Sequence, residues 1–374
     1  MQPALPRRRS LRSVAAAAAT FVAASFAACT ATPLPPSQPS PAVSSPAATP
    51  TAAAPTAALP PIHGQPAFPL RDVRIAAVGD MNGVRTYAPD SPSGRNAAAI
   101  TRLVQNHEID AFLGIGDFQY DAAYCDDYVK YWSRLWSGTL SKLYWVSAPN
   151  HDWKPGRNED LDNFMNGQCP GSSAKSAINH ERGFIENGQP YSKDFGNWHF
   201  AFLSSAHWRY NPARAQALTT WLDRDLAAAK AAGRHLAVVH HEPYFTSSTE
   251  THERNLDHKP WIDVMWKHRV RLILSGSQHN YERSCPVDNA DQCVSDGMTS
   301  FQVSTGGVGL RPFTSSPPFI VKRFSDTHGF LRLTLKVDGS FDWEFVPTSG
   351  PSTDAGTRSA PQSQPAPEER AAQP

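Results

Sequence analysis

The side chains that could do chemistry in this sequence stand at the ends of apolar runs. Five successive runs end in carboxylate, amide or imidazole residues: Asp80; Asp117, with Tyr120 three residues on; Asn150, His151 and Asp152; His240 and His241; and His279. A mixed set of oxygen and nitrogen ligands suits Fe, Mn or Zn rather than Ca²⁺ or a thiolate-bound metal. The ordered set therefore predicts a metal site.

The five runs have the length and the β-branched content of buried strands. They read VRIAAVGD (73–80), AFLGIGD (111–117), KLYWVSAPNH (142–151), HLAVVHH (235–241) and RLILSGSQH (271–279). Proteins of the α/β class place their chemistry beyond the carboxyl ends of such strands. We therefore expect the polar residues to meet at one edge.

Helical patterns separate several of these strands, and two other segments are typical of hairpins. The helical patterns lie at 95–107, 218–233 and 259–268, and the hairpins at 189–205 and 330–347. Alternating strands and helices indicate parallel pairing, whereas hairpins are antiparallel. The sequence predicts a mixed α/β fold in which two packed β-sheets are flanked by helices.

The two ends of the chain have compositions that do not build a core. A basic stretch followed by a short Ala-rich apolar stretch is typical of an export signal, here residues 1–28. Residues 29–67 are nearly all Pro, Ala, Ser and Thr, which predicts a disordered linker, and residues 348–374 are predicted to form a disordered tail. The ordered domain is predicted over 68–347.

The sequence has five cysteines. The stretch FAAC, which ends at Cys29, resembles a lipoprotein cleavage box, so an acylated Cys29 would tether the protein to a membrane. An ordinary signal peptide with a chance cysteine is the alternative. The other four cysteines, in an exported domain, suggest two disulfides. Cys285 with Cys293 closes a short polar loop, and Cys125 with Cys169 then follows by elimination.

The charge of the chain bears on its partners. The formal net charge is +1, and no basic block lies inside the predicted domain. Nucleic-acid binding needs a concentrated positive surface, so we expect no nucleic-acid partner. Nothing in the sequence indicates an oligomeric state.

Taken together, the five motifs resemble those of the calcineurin-like metallophosphoesterase superfamily. GD at Asp80, GDFQY, PNHD, VVHHEP and SGSQHNYER follow the order of the family motifs GD, GDxxY, GNH[DE], VxxH and GHxH. Within the superfamily, the purple acid phosphatases and their bacterial relatives are the most similar. The resemblance covers nearly the whole predicted domain and implies a four-layer sandwich, with the two sheets between layers of helices.

The resemblance also implies a site for two metal ions, Fe together with Zn, Mn or a second Fe. Asp117 would bridge the two ions. Asp80, Tyr120 and His279 would complete the shell of the first ion. A tyrosinate ligand favours a ferric ion, which gives that family its purple colour.

The second ion would be bound by Asn150 and His241, and here the sequence departs from the family. The family pattern His-x-Pro selects His241 rather than His240. Ser277 stands where GHxH has its first histidine, which binds the second ion in the family. A neutral hydroxyl is a much weaker ligand for a transition metal than an imidazole. We therefore predict that the first ion binds tightly and the second weakly.

Three further residues would serve the substrate rather than the metal. His151 would lie beside the phosphate, where it stabilises charge or protonates the leaving group, with Asp152 as its orienting partner. His252, in STETHERN, would take the place of a second phosphate-contacting histidine.

The implied function is that of an exported phosphatase, in the bacterial periplasm or at the cell surface, acting on a small phosphorylated substrate. Its expected substrates are phosphomonoesters. Two alternatives stay open at this point. The same scaffold would serve a phosphodiesterase or nucleotidase, and a chain that holds one ion would be a non-catalytic protein that binds a phosphorylated ligand.

Overall fold

The computed structural model describes residues 70–147, 149–153, 160–178, 189–205 and 211–361. The predicted export signal (1–28) and the predicted linker (29–67) lie outside these ranges. Within them, no helix combines the length and the apolar character that crossing a membrane requires.

Thirteen strands lie in the described ranges. They are β1 (Val73–Val78), β2 (Ala111–Gly114), β3 (Leu143–Trp145), β4 (Tyr191–Phe195), β5 (Trp198–Phe202), β6 (His235–Val239), β7 (Leu272–Ser275), β8 (Tyr281–Ser284), β9 (Thr299–Val303), β10 (Ile320–Phe324), β11 (His328–Leu335), β12 (Phe341–Ser349) and β13 (Ala355–Arg358). One sheet has the order β13-β12-β11-β1-β2-β3, and the other has the order β10-β8-β9-β7-β6-β5-β4. Strands β1, β2 and β3 are parallel, and so are β5, β6, β7 and β9.

The described ranges also contain α-helices, two of which pack on the sheets. The helices are α1 (Pro92–Gln105), α2 (Cys125–Asp127), α3 (Ser133–Trp136), α4 (Asp160–Met165), α5 (Ala174–Ala177), α6 (Pro212–Ala231) and α7 (Lys259–His268). Helix α1 packs on β11 and β12, whereas α6 packs on β5, β6 and α7. The hydroxyl of Ser91 caps α1 by accepting the Gly94 N–H at 3.0 Å, and Pro92 follows in the first turn, where it suits a helix start.

The central strands are apolar throughout because they are buried on both faces. In β6, Ala237 and Val239 belong to the core between the two sheets, whereas Leu236 and Val238 pack in the core beneath α6 and α7. Successive side chains of a strand point to opposite faces, so each strand of this kind needs two apolar sets. The predicted arrangement of two packed sheets flanked by helices is confirmed.

The five predicted core strands are all present as β1, β2, β3, β6 and β7. Each ends before its polar residues, which therefore lie in the loops that follow. The two predicted hairpins are also present, as β4–β5 and β11–β12. Both predicted disulfides, Cys125–Cys169 and Cys285–Cys293, are formed.

The predicted disordered tail begins too early. Strand β12 continues to Ser349, and β13 then pairs antiparallel with it. Between them the buried Asp354 carboxylate accepts hydrogen bonds from Tyr281 at 2.8 Å, Arg283 at 2.7 Å and Trp343 at 3.1 Å. The prediction for 348–361 is wrong because backbone pairing and one buried carboxylate order a segment that has few apolar side chains.

Candidate metal centre

The ends of the core strands meet at one edge, where the two sheets are joined by backbone hydrogen bonds. The Gly79 N–H, just after β1, donates to the Val303 carbonyl of β9 at 2.9 Å. The Asp80 N–H donates to the Gly116 carbonyl, after β2, at 2.9 Å. These bonds bring loops from both sheets together, as the positions of the polar residues predicted.

A buried cluster forms at this edge. The ligand atoms of Asp80, Asp117 and His241 all lie within 4.8 Å of one another. The Tyr120 hydroxyl donates to the Asp117 carboxylate and lies 2.7 Å from Asp80 Oδ1 and 3.0 Å from His279 Nε2. One phenol thus contacts each of the other residues that were predicted to surround the first ion.

Hydrogen bonds from neighbouring loop residues hold His279 and Asp80 in place. The Nδ1 atom of His279 lies 2.9 Å from the Gly309 carbonyl, which can only accept, so this nitrogen carries the proton and Nε2 faces Asp80 Oδ1 at 3.3 Å. Ser304 Oγ accepts the His279 N–H at 2.7 Å and donates to Asp80 Oδ2. The Ser277 N–H also donates to Asp80 Oδ2, at 2.9 Å.

His241 is oriented in the same way. Its Nδ1 lies 2.9 Å from the Ile115 carbonyl, and its Nε2 lies 3.2 Å from Asp117 Oδ2. Neither this Nε2 nor Asn150 Oδ1 has a hydrogen-bond partner among the described residues, although both atoms are buried. A buried lone pair beside a carboxylate requires a cation, whether a proton or a metal. His241 Nε2, which faces Asp117 Oδ2, therefore fits a metal ion.

The electrostatics of the cluster follow from its burial. Burial raises the pKa of Tyr120 well above its ordinary value, and the Asp117 and Asp80 carboxylates raise it further. Burial opposes ionisation of Asp117, but the neighbouring His241 and His151 outweigh it and hold the pKa of this carboxyl well below its ordinary range. A bound metal cation is a larger local charge and would favour the tyrosinate.

The backbone of the cluster is strained at several residues. Positive φ angles occur at Asp80 (56°), Asp117 (50°), Ser277 (74°) and His279 (55°). A non-glycine residue in this region costs about 1–3 kcal/mol, and such residues concentrate at functional sites. Gly116, with φ of 106°, lies so close to His241 that a Cβ atom would stand 2.6 Å from its Nδ1.

His151 lies beside the cluster. Its backbone N–H donates to Asp117 Oδ1 at 3.0 Å, and its ring lies 4.1 Å from the Tyr120 ring, centroid to centroid. Its Nδ1 lies 2.5 Å from the Asp121 carbonyl oxygen and 3.1 Å from Asp121 Oδ1. Asp121 is therefore a residue that orients His151, and the sequence did not point to it.

Asp152 has a different role from the predicted one. Its buried carboxylate accepts the Phe118 N–H at 2.9 Å and the Gln119 N–H at 3.4 Å, and it also accepts from the Tyr128 hydroxyl. Burial and the charge of Asp117 raise the pKa of Asp152 to about 8, against these hydrogen bonds. The prediction that Asp152 orients His151 is wrong, because the carboxylate is engaged in holding the loop after β2.

The remaining predicted residues open onto a cleft. Asn150, His252 and Ser277 line a cleft of about 180 Å³ beside the cluster. His240 lies on the other side of its strand, where its ring is 5.5 Å from that of His258 and 6.1 Å from that of Trp261. The choice of His241 over His240 as a candidate ligand is therefore consistent with the geometry.

Ser304 was missed, although the sequence carried a signal for it. It directly follows β9, as Asp80 and Asp117 follow β1 and β2. A hydroxyl at a strand end is common in loops, so the position became informative only when the structure placed Ser304 on both Asp80 and His279.

The chain is similar in sequence to plant proteins named as purple acid phosphatases and to a plant phosphodiesterase. The chain is 24% identical over 306 residues to an Arabidopsis thaliana protein named probable inactive purple acid phosphatase 27; the match covers 74% of the chain and 48% of that protein. It is 25% identical over 302 residues to a nucleotide pyrophosphatase/phosphodiesterase of Hordeum vulgare, covering 74% of the chain and 80% of that protein. The chain spans about half the length of the Arabidopsis relatives that it matches.

Among solved structures, the purple acid phosphatase PPD1 of yellow lupin (Lupinus luteus) superposes with a TM-score of 0.57 at 19% identity. The superposition covers 78% of this chain and 54% of the lupin chain. No family profile matches the sequence. The chain therefore has the calcineurin-like metallophosphoesterase fold, and the resemblance to purple acid phosphatases that its five motifs carry is confirmed.

Proposed function

We propose that this chain is an exported, metal-dependent phosphatase that hydrolyses phosphomonoesters at a two-metal site with a weakened second-ion shell. The observation that carries the proposal is the orientation of two imidazoles. Nε2 of His241 and of His279 faces a buried carboxylate, at 3.2 and 3.3 Å respectively. Carboxylates, a phenol and imidazoles together form the donor set of a transition metal.

The residues present fit a pair of ions, Fe with Zn, Mn or a second Fe. The first ion would be held by Asp80, Tyr120 and His279, the second by Asn150 and His241, and both by Asp117. When bound, such ions supply Lewis-acid activation of the phosphate ester and of water. Ser277 lines the cleft but offers only a hydroxyl, so the second ion would have three protein ligands.

The chain's own residues would handle the proton and the phosphate oxygens. The Asp121 carbonyl accepts a hydrogen bond from His151 Nδ1–H, so proton delivery to the leaving group would fall to Nε2 of the same ring. The Asp117 carboxylate accepts a hydrogen bond from the His151 backbone N–H, which holds His151 next to the cluster. His252 lines the same cleft as Ser277 and would contact the phosphate.

The size of the cleft supports a small substrate. At about 180 Å³ it is smaller than the 300–1,000 Å³ typical of sites for drug-sized ligands. A phosphate group with a compact organic substituent suits that volume. The name of the Hordeum relative favours a second candidate, hydrolysis of a phosphodiester or a nucleotide pyrophosphate.

The test is to strip the purified protein of metal and add Fe, Zn or Mn stepwise. Turnover of an aryl phosphate monoester is measured beside turnover of the matched diester and of a nucleotide pyrophosphate. We expect monoester turnover that requires metal and rises in two phases, the second at higher metal concentration. Preference for the diester or the pyrophosphate would favour the second candidate.

Absence of turnover with every metal and every ester would overturn the catalytic proposal. The names of the Arabidopsis relatives, which include the word inactive, favour that third candidate, a non-catalytic protein that binds a phosphorylated ligand. Binding of inorganic phosphate in the absence of turnover would then identify it.

The export part of the proposal is supported by the two disulfides, which form in oxidising compartments. We place the mature protein in the bacterial periplasm or at the cell surface, with acylated Cys29 as its tether. Labelling cells with a fatty-acid analogue should mark the wild-type protein and spare the Cys29→Ser variant. An unlabelled wild-type protein whose mature N-terminus lies elsewhere would support the ordinary signal peptide.

A further inference from the structure

Arg311 is a cation beside the cleft whose contacts the proposed reaction does not yet use. Its Nη1 lies 2.8 Å from His252 Nδ1 and 3.5 Å from the Ser277 carbonyl. Among the described residues, no carboxylate forms an ion pair with it. A guanidinium has only donors and stays protonated in proteins, so this half-buried group carries a full positive charge.

The loop that carries Arg311 is hydrogen-bonded to His279, a predicted metal ligand. The Arg311 N–H donates to the His279 carbonyl at 2.9 Å. Two residues earlier, the Gly309 carbonyl accepts a hydrogen bond from His279 Nδ1 at 2.9 Å. The position of the guanidinium is therefore coupled to the position of His279.

The contact with Arg311 decides the tautomer of His252. A guanidinium has only donors, so His252 Nδ1 must accept, and the proton of the neutral ring is then on Nε2. Thr251 Oγ1 lies 2.9 Å from the same Nδ1. Burial and, after it, the charge of Arg311 lower the pKa of His252 to about 4. The ring is thus a neutral donor through Nε2–H.

His252 lies where such a donor would be useful. It lines the same cleft as Asn150 and Ser277. Ser277 is the position at which the second ion is one imidazole short, and its carbonyl is the other acceptor that Arg311 Nη1 reaches. Fixed positive charge from Arg311 therefore stands on the side of the cleft where the predicted metal shell is weakest.

We infer that Arg311 is a positioning residue that fixes His252 as an Nε2–H donor to a phosphate oxygen and adds positive charge beside Ser277. This inference rests on the proposed function, since the anion is the phosphate group of the same ester. His252 contacts the phosphate, whereas Arg311 acts through it. The guanidinium thereby supplements the charge of a weakly bound second ion.

The first measurement is the tautomer, which needs neither metal nor turnover. The full chain, labelled with ¹⁵N-histidine and stripped of metal, is studied by NMR of the imidazole nitrogens. We expect the Nε2–H form of His252 in the wild type and in Arg311→Lys, because lysine also only donates. Arg311→Met removes the donor and should give a mixture of the two tautomers.

The second measurement is the affinity of the metal-loaded protein for inorganic phosphate. Arg311→Met should weaken it about tenfold or more, the scale of a lost charge-assisted hydrogen bond. Arg311→Lys should recover most of the loss. With an aryl phosphate, the KM should rise more than kcat falls. Arg332→Met is the control, because Arg332 lies on β11, where it pairs with Glu344 at 3.7 Å, and it should change nothing.

Equal tautomers and equal phosphate affinities in the wild type and Arg311→Met would overturn the inference, even in an active enzyme. A wild-type protein that turns over no ester, yet binds phosphate more tightly than Arg311→Met does, would overturn the proposed function and leave the inference standing. If Arg311→Met does not fold, Arg311→Gln replaces it, and unchanged phosphate affinity in that variant is the overturning result.

Discussion

The two halves of the candidate metal centre differ in how far protein contacts alone satisfy their ligand atoms. In the first-ion half (Asp80, Tyr120 and His279), the phenol contacts both other residues, and Ser304 holds two of them. In the second-ion half (Asn150, His241 and Ser277), Asn150 Oδ1 and His241 Nε2 are buried without a hydrogen-bond partner among the described residues.

Ser277 shows how the difference arises. Its backbone N–H serves the first-ion half by donating to Asp80 Oδ2 at 2.9 Å. Ser277 also lines the cleft in the second-ion half. The ligand atoms of the first ion therefore contact one another, whereas Asn150 Oδ1 and His241 Nε2 are left for what enters the second-ion half, although His241 itself is oriented by the Ile115 carbonyl.

Asp117→Asn should disrupt both halves and has the largest expected effect. The carboxylate contacts Tyr120 and His241 and would be shared by the two ions, whereas a neutral amide bridges two cations poorly. We expect turnover below detection together with a reduced metal content, measured by elemental mass spectrometry. A variant that retains two ions would show that Asp117 is not the shared ligand.

His151→Ala should leave both halves intact and reduce the rate. The imidazole lies against Tyr120 and Asp121, and its loss as an acid–base group should lower kcat by about 10²–10⁴-fold. The metal content should equal that of the wild type. Metal loss as large as that in Asp117→Asn would contradict the role assigned to His151.

Ser277→His should make the two halves more alike. Outer partners of metal ligands alone change affinity by about 10–100-fold, so an added ligand should raise the affinity for the second ion at least tenfold. Metal titration of stripped protein should show two unequal affinities in the wild type and closer ones in the variant. Two equally tight ions in the wild type would refute the difference between the halves.

Ser304→Ala and Ser205→Ala form a matched pair, one for each half. Ser304 Oγ contacts Asp80 and His279, whereas Ser205 Oγ accepts the His241 N–H at 3.2 Å. Each loss should weaken its own ion by about tenfold, at the lower end of the range for outer partners. Calorimetric titration would assign each effect, and equal weakening of both ions in either variant would contradict the separation.

The smallest effect on either half is expected at His199, which sits between Asp194 at 2.7 Å and Asp225 at 2.9 Å. Burial opposes charging, but the two carboxylates raise the pKa of His199 to about 9, above its unfolded value near 6.5. The resulting stabilisation, about 3 kcal/mol, is fully present below pH 6.5 and is lost as the pH rises through 9.

Urea unfolding between pH 6 and 10 would measure this loss, and His199→Gln should flatten it. Both metal affinities should be the same in His199→Gln as in the wild type. A selective change in one affinity would mean that this charged network is coupled to that half of the centre.

Much of the first-ion half could be predicted before the fold was known. Asp80 and His279 each follow an apolar run, as does the shared ligand Asp117, and runs of this kind mark buried strands. The role of Asp152 was not predictable in the same way. Asp152 follows His151 in the chain, yet its carboxylate accepts hydrogen bonds from the N–H groups of Phe118 and Gln119, because adjacent side chains point in different directions.

The donor types, their order and the edge at which they meet follow from the amino-acid sequence, because parallel strands present their carboxyl ends at one side of a sheet. Tertiary contacts determine which nitrogen of each histidine is available, and they bring Arg311 to the position from which it sets the tautomer of His252. They also allow Asp354 to order a segment of polar composition. These outcomes depend on contacts between residues far apart in the chain, and hydrophobic periodicity reports only on neighbours.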